Sequence, residues 1–139
     1  MEPSFQEKQI AVYWRIEEEL PLVHADHHGL LQVFLNLANN ASRALQNSGR
    51  KELRIVAEVE DRRVRVRFHN SGPPIDDPDS LFKPFQHGTS EGGLGLYVSR
   101  AIIRSFGGDV NYQPVTSGCC FVVALDVSQL WYTYGVATS

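Results

Sequence analysis

The chain has 139 residues, a length that fits one domain with a single hydrophobic core. Its hydrophobic content of 42% and charged content of 21% are ordinary for a globular protein. The net charge of −3 gives no reason to expect nucleic acid or an anionic membrane as a partner, and no apolar run approaches the roughly 18 residues of a membrane span.

The cysteine content favours a reducing, cytoplasmic setting. Cys119 and Cys120 are adjacent, and neighbouring residues on a strand point to opposite faces, so we expect no disulfide between them. The cysteines and histidines have no metal-binding spacing. The first residues also lack the apolar core of a signal peptide.

The first half of the chain predicts a strand followed by a long helix. Residues 9–16 are rich in β-branched and aromatic side chains and predict the strand. Pro21 discourages a helix across the connection that follows. The helix is predicted from an N-cap at Asp26 to a stop at Gly49. At about 100° per residue, its apolar face comprises Leu30, Phe34, Leu37, Ala41 and Leu45.

The opposite face of this helix carries asparagine where a solvated face usually carries lysine and glutamate. Asn36, Asn39 and Asn40 lie mid-helix, although asparagine costs about 0.6 kcal/mol relative to alanine there. Asn36, Asn40 and Arg43 gather nearly opposite the apolar face. A plain surface and a buried or ligand-facing polar stripe both fit this pattern, and the cost of the asparagines favours the stripe.

A hairpin and a long loop are predicted next. Residues 53–70 alternate between apolar and polar side chains and predict two strands, with the turn at Asp61-Arg62-Arg63. Residues 71–93 are dense in glycine, proline, aspartate and serine. A loop of that length inside a compact domain is usually a functional lid or disordered.

The last elements complete a two-layer arrangement. Residues 96–106 have helical spacing, and Gly107-Gly108 closes that helix. Residues 109–115 and 119–127 predict a final pair of strands. The order of elements predicts an α/β (α+β) two-layer sandwich, in which a mixed, mostly antiparallel sheet is covered on one face by helices. We assign residues 1–127 to this domain and residues 128–139 to a C-terminal tail.

The polar face of the first helix suits a magnesium–phosphate complex. Mg²⁺ takes oxygen ligands and commonly only one or two from protein, with water and phosphate oxygens completing its shell. Asn40 is the candidate ligand. Asn36 lies one turn earlier, and Arg43 brings a charge suited to phosphate.

Two further segments also fit a nucleotide. Gly92-Gly93-Leu94-Gly95 precedes the second helix, where backbone N–H groups and the positive end of the helix dipole bind anions. Asn70 ends a strand before a tight turn, so its side chain can hydrogen-bond a base edge while Ile75 packs against the ring. Each segment alone also has a structural explanation, as a helix-packing device or a simple turn. The chain has no P-loop motif.

The order of these segments resembles the catalytic domain of sensor histidine kinases. Four stretches resemble that family's N, G1, F and G2 boxes, namely QVFLNLANNASRAL, HNSGPPI, LFKPF and GGLGLYVSRAII. VHAD and SGCCFVVAL match the segments that flank them. With residues 26–125 covered in order, the resemblance implies the sandwich fold of the GHKL ATPases, shared with gyrase, MutL and heat-shock chaperones.

Site residues follow from the resemblance position by position. It implies that Asn40 binds Mg²⁺ and that Asn36 and Arg43 contact phosphates, so that these three carry the chemistry. The other nucleotide-binding positions that it implies are Asn70, Gly72, Ile75, Phe85, Gly93, Leu94, Gly95, Leu96 and Cys119. Phe82 and Phe85 would anchor a lid, residues 76–92, that closes over ATP.

The residue at position 36 separates branches of the superfamily. Branches that hydrolyse ATP, and the serine kinases that act in sigma-factor switching, carry a glutamate there as general base. An amide cannot accept a proton, so Asn36 favours the histidine kinase branch, whose nucleophile is an imidazole nitrogen. The expected function is transfer of the γ-phosphoryl group of Mg-ATP to a histidine on a separate dimerisation and phosphotransfer domain.

Partners follow from this function. Too few residues precede the first helix for the phosphotransfer domain, so we expect this chain to be one domain of a homodimeric kinase that signals to a response regulator. On its own it should bind nucleotide without phosphorylating itself.

Three departures from the family pattern leave an alternative open. Asn70 replaces the aspartate that accepts the adenine amino hydrogen, so that bond loses its charge assistance. Pro74 replaces a glycine, and Cys119 replaces a threonine. The alternative is a degenerate, non-catalytic nucleotide-binding or docking module.

Some residues lie outside these roles. His27, His28, His69 and His87 have no dimerising hairpin around them and are interpreted as surface or structural residues. The aromatic residues of the C-terminal tail fit either a partner contact or a frayed end; they are Trp131, Tyr132 and Tyr134.

Overall fold

The computed structural model describes residues 9–21, 23, 25–84 and 95–128. Within these ranges the strands and helices follow in the predicted order, with a short 3₁₀ helix, Pro78–Phe82, inside the predicted loop. The strands are β1 Ala11–Ile16, β2 Glu52–Glu60, β3 Arg63–Asn70, β4 Asp109–Gln113 and β5 Cys119–Asp126. The helices are α1 His27–Ala44 and α2 Gly95–Ser105. Neither helix is long and apolar enough to cross a membrane.

The five strands form one sheet in the order β1-β2-β3-β5-β4. β1 is parallel to β2, and the other pairs are antiparallel, so the predicted mixed sheet is confirmed. In the register, Asn70 at the end of β3 lies between Leu53 of β2 and Cys119 of β5. Asn70 therefore lies at the end of the central strand, with a neighbouring strand on each side.

The β2–β3 turn consists of two residues. Asp61 and Arg62 have φ values of 55° and 65°, the left-handed conformation that tight hairpins require at both central positions. The predicted turn included Arg63, which already pairs with Glu60 at the start of β3. Cys119 and Cys120 are both free and buried.

One face of the sheet packs against the helices, and the other carries charge. Leu53, Ile55 and Ala57 of β2 are buried with the alternate residues of β3, which are Val64, Val66 and Phe68. On the outer face, arginines of β3 pair with acidic residues of neighbouring strands, for example Arg63 with Asp126 at 2.9 Å. A charged face of this kind stays in water without a covering layer.

Helix α1 begins as predicted and ends earlier. The Asp26 carboxylate accepts a hydrogen bond from the Gly29 N–H at 2.9 Å and caps the helix. The predicted stop at Gly49 is wrong, because α1 ends at Ala44 and Leu45 is its C-cap. Leu45 completes the buried face, Asn47 and Ser48 are weak helix formers, and residues 45–48 turn tightly. A longer helix would therefore bury nothing more.

Helix α2 ends at the predicted glycines. The N–H groups of Gly107 and Gly108 donate to the carbonyl oxygens of Arg104 and Ile103, both at 3.0 Å, in a Schellman arrangement. Gly107 has the left-handed φ of 86° that this arrangement needs. A Cβ atom on Gly108 would collide with the backbone oxygen of Ala124, so this glycine lets the end of α2 lie directly on β5.

Replacing Gly108 with alanine tests this close approach. Gly108→Ala should lower the free energy of unfolding by about 2 kcal/mol, because the backbone of β5 must move to admit the methyl group. Gly49→Ala is the control, since a Cβ there meets no heavy atom within 4 Å, and it should change stability by less than about 0.5 kcal/mol. Urea unfolding of the three proteins measures both effects. A Gly108→Ala protein as stable as the parent would contradict the packing described.

Candidate functional site

The side chain of Asn36 joins the two helices. Its amide nitrogen donates to the backbone oxygen of Gly95 at 3.3 Å and to the hydroxyl of Ser99 at 3.1 Å. Its amide oxygen accepts a hydrogen bond from Gln32 at 2.9 Å. Gly95 is the first residue of α2, and Ser99 is 0% exposed. At this point the polar stripe of α1 therefore faces α2 and not water.

These bonds use both amide hydrogens of Asn36. A phosphate that took a hydrogen from this amide would have to displace Gly95 or Ser99 as acceptor, so the predicted phosphate contact stays a prediction. Ser99 was not identified from the sequence. It lies on the same stripe as Leu96 and Ile103, which are buried. A serine on an apolar stripe indicates a buried hydrogen bond, and that signal was available.

Asn40 and Arg43 follow on the same side of α1, at intervals of one turn. Both side chains are half-buried. Within the described part of the chain, neither has a hydrogen-bond or ion-pair partner. Asn36 therefore makes its hydrogen bonds within the protein. The amide of Asn40 and the guanidinium of Arg43 beside it are available to a ligand.

The turn after β3 passes close to the end of α1. The side-chain oxygen of Asn70 accepts a hydrogen bond from the Gly72 N–H at 2.9 Å. A Cβ atom on Gly72 would lie 2.9 Å from that oxygen and 3.1 Å from the backbone oxygen of Ala44, so only glycine fits without movement. A groove of about 460 Å³ opens here, with Arg43 on one wall and Ser71 and Gly72 on the other.

The burial of Asn70 limits its predicted contact with adenine. Its side chain is 2% exposed, and its oxygen already accepts one hydrogen bond. An amide oxygen has a second lone pair, so one further donor can be accepted if the ligand reaches it. Ile75, predicted to pack on the base, is half-buried against the core. The contact of Asn70 with adenine and the packing of Ile75 on the base both stay predictions.

Cys119 lies next to Asn70 in the register of the sheet. The pKa of the Cys119 thiol is raised to about 11, chiefly by burial and further by the neighbouring Cys120, while a hydrogen bond from Asn70 opposes both effects. The thiol is therefore neutral at physiological pH. As a neutral, weakly hydrogen-bonding group it takes the place of the hydroxyl that the family pattern predicts.

Phe82, the predicted lid anchor, is buried at the end of the 3₁₀ helix. Its ring meets that of Phe121 edge-on, with the centroids 6.1 Å apart. The Arg100 guanidinium lies 3.7 Å from the centroid of the Phe82 ring, while its nitrogens donate to Val110 and Asn111 of β4 at 3.0 and 2.9 Å. The start of the predicted lid is thus held between α2 and the sheet.

Several predicted site residues lie outside the described residues. Phe85, Gly93 and Leu94 are among them, as are residues 85–92 of the predicted lid. Gly95 begins α2, and the Leu96 side chain is in the core, so only the backbone of Leu96 is available to a ligand.

The described histidines fit their predicted roles as surface or structural residues. His27 and His28 are exposed at the start of α1. His69 Nε2 lies 2.7 Å from the backbone oxygen of Ser117, a contact that joins β3 to the β4–β5 connection. His87 lies outside the described residues.

The described residues offer few side chains that could coordinate a cation. In residues 9–21, 23, 25–84 and 95–128, no group of three or more histidine, cysteine, aspartate or glutamate side chains could hold a metal ion. The free amide oxygen of Asn40 suits Mg²⁺ held mainly by phosphate and water, which needs only one or two protein oxygens. An amide oxygen of this kind therefore fits a magnesium–nucleotide complex.

Residues 25–129 match the family described as histidine kinase-, DNA gyrase B-, and HSP90-like ATPase. The adaptive-response sensory kinase SasA of Prochlorococcus marinus is 29% identical over 137 residues, which cover 93% of this chain. The chain spans only 37% of the length of that kinase.

Solved structures of histidine kinases share the fold. The catalytic domain of histidine kinase ThkA has a TM-score of 0.78 and 31% identity, covering 88% of this chain and 82% of that domain. Full-length ShkA in complex with AMPPNP has a TM-score of 0.74 and 26% identity, covering 88% of this chain and 27% of ShkA. ThkA in complex with the response regulator protein TrrA has a TM-score of 0.74 and 28% identity, covering 89% of this chain and 36% of the ThkA chain.

The raised pKa of Cys119 predicts a dependence of stability on pH. A thiol whose pKa is higher in the folded state contributes stability that is complete below its unfolded pKa and lost as pH rises toward about 11. Between pH 8 and 10.5 the parent should lose stability more steeply than Cys119→Ala, by roughly 1–2 kcal/mol over that range. Urea unfolding across the range gives the two slopes. Equal slopes for the parent and Cys119→Ala would contradict the assignment.

Proposed function

Because this chain belongs to the family of histidine kinase-, DNA gyrase B-, and HSP90-like ATPases, we propose that it transfers the γ-phosphoryl group of ATP to a histidine on another domain. It is the ATP-binding catalytic domain of a sensor histidine kinase. The proposal rests on the free polar groups of α1. Asn40 and Arg43 have no partners within the described part of the chain, and they lie between the Asn36 link and the groove beside Gly72.

We propose Asn40 as the protein ligand of Mg²⁺. Its amide oxygen is uncommitted, and it lies one turn from the residue that fixes the start of α2. When bound with ATP, Mg²⁺ would neutralise part of the phosphate charge. Arg43, one turn further, would add a fixed positive charge toward the phosphates.

The proposed reaction needs no general base on this chain. A neutral imidazole nitrogen attacks the γ-phosphorus with its own lone pair, and the bond from that phosphorus to the β–γ bridging oxygen breaks, releasing ADP. The chain supplies position and charge neutralisation. Asn36 has an amide where a base would otherwise be needed, and its bonds to Gly95 and Ser99 hold α2 in place against α1.

The partners of this reaction are also proposals. The acceptor histidine would lie on a dimerisation and phosphotransfer domain of a homodimer, and a response regulator would receive the phosphoryl group next. The structure of ThkA with the response regulator TrrA supports a partner of this kind. Use of ATP supports a cytoplasmic setting, and we propose residues 1–127 as the catalytic domain.

Calorimetric titration of ATP tests the proposal. The parent should bind ATP with a Kd between micromolar and sub-millimolar, and more tightly when Mg²⁺ is present. Asn40→Ala should lose the gain from Mg²⁺ because it removes the oxygen ligand. Asn39→Ala removes the same side chain at the adjacent position of α1, to which no metal contact is assigned, and should keep the gain.

Absence of binding at millimolar ATP would contradict an active nucleotide site. A gain from Mg²⁺ that survives in Asn40→Ala would contradict the metal role of Asn40 alone.

A further inference from the structure

An apolar groove of about 280 Å³ lies on the helix side of the sheet, between β1 and the first half of α1. Every residue that lines it is apolar. Trp14 and Ile16 of β1 form one wall, Leu30 and Phe34 of α1 form the other, and Leu125 lies at the end of β5. The groove is separate from the nucleotide site, which lies toward α2 and the turn after β3.

The register of the sheet shows why the groove is open. Trp14 pairs with Ile55 and Ile16 pairs with Ala57, so these side chains point to the same face of the sheet. Ile55 and Ala57 are 5% and 4% exposed beneath α1, whereas Trp14 and Ile16 are 67% and 50% exposed. Helix α1 therefore covers β2 and stops short of β1. Two large apolar side chains on the core face are therefore only partly covered by the described residues.

The chain itself leads back to this groove. Val127, directly after β5, pairs with Val23, and Val23 lines the groove. The chain after Ser128 therefore starts at the edge of the groove. At about 3.3 Å per extended residue, Trp131 can lie up to roughly 13 Å from Val127, a distance that reaches across a cavity of this size.

The composition of this segment matches the lining. Residues 129–139 include an apolar and aromatic run, Leu130-Trp131-Tyr132, and have no aspartate, glutamate, lysine or arginine. The N-terminal residues 1–8 suit the groove less well, since they are charged and enter at the other end of β1. A neutral aromatic segment and an uncharged groove are complementary, because burial of apolar area drives their contact.

We propose that residues 129–139 dock into this groove of the same chain and place Leu130 and Trp131 against Trp14 and Ile16. The docked segment covers the side of α1 that carries Leu30 and Phe34, opposite the side that carries Asn36 and Asn40. The C-terminal segment is thus the missing part of the helix-side layer over β1. This proposal does not depend on the proposed nucleotide function.

Fluorescence can test the docking, because the chain has only two tryptophans, Trp14 and Trp131. In the Trp14→Phe protein, all tryptophan emission comes from Trp131. Docking predicts a blue-shifted emission maximum and acrylamide quenching at least threefold weaker than in the same protein unfolded in urea. No nucleotide is added, so the result is independent of ATP binding.

A charge in the groove should make Trp131 accessible to acrylamide again. Ile16→Glu, added to Trp14→Phe, should raise quenching of Trp131 to near the unfolded value, because a carboxylate in an apolar groove excludes the segment. Leu35→Glu in the same background is the matched control. Leu35 is also 50% exposed but lies outside the groove lining, so Trp131 should stay protected. Circular dichroism and the urea midpoint show that each variant is folded.

Three results would overturn the proposal. Quenching of Trp131 in the folded Trp14→Phe protein equal to that in urea would exclude docking. Protection unaffected by Ile16→Glu would place Trp131 on another surface. Protection that falls on dilution, with a dimer in sedimentation velocity, would show that the segment occupies the groove of a second copy.

Discussion

The hydrogen bonds of Asn36 across the two helices are the constraint on which the site depends. The groups Asn40 and Arg43 are on α1, and the glycine-rich approach to α2 ends at Gly95, so the packing of these helices relates the two halves to each other. The amide offers hydrogens to two acceptors, Gly95 and Ser99. A carboxylate at position 36 would face the Gly95 carbonyl oxygen with no hydrogen to donate. The interhelical contact thus favours an amide over a carboxylate at position 36.

A second close contact lies at the C-terminal end of α1. The turn at Gly72 fits between Asn70 and the last residue of the helix, Ala44, with no room for a side chain. Asn70 is held in turn by its pairing with Cys119. The free groups of α1 therefore lie between two rigid contacts, one to α2 and one to the turn. Preorganisation of this kind lowers the cost of ordering the protein around a charged ligand.

Local patterns in the sequence predicted most of the fold. The alternation in β2 and β3, the cap at Asp26 and the glycines after α2 act over a few residues, and the structure confirms them. The end of α1 and the partners of Asn36 could not be predicted in this way. Asn36 bonds to residues 59 and 63 positions away, so its neighbours depend on how the helices pack. The exposure of Trp14 likewise depends on how far α1 extends over the sheet.

The side-chain amide signals of the asparagines give the most direct test of the proposed site. In ¹H–¹⁵N spectra recorded during titration with AMPPNP and Mg²⁺, the Asn40 amide should shift in a saturable way. The Asn39 amide should shift less than the Asn40 amide, because no contact with the metal ion is assigned to it. An Asn40 amide that does not move at millimolar nucleotide would contradict the account.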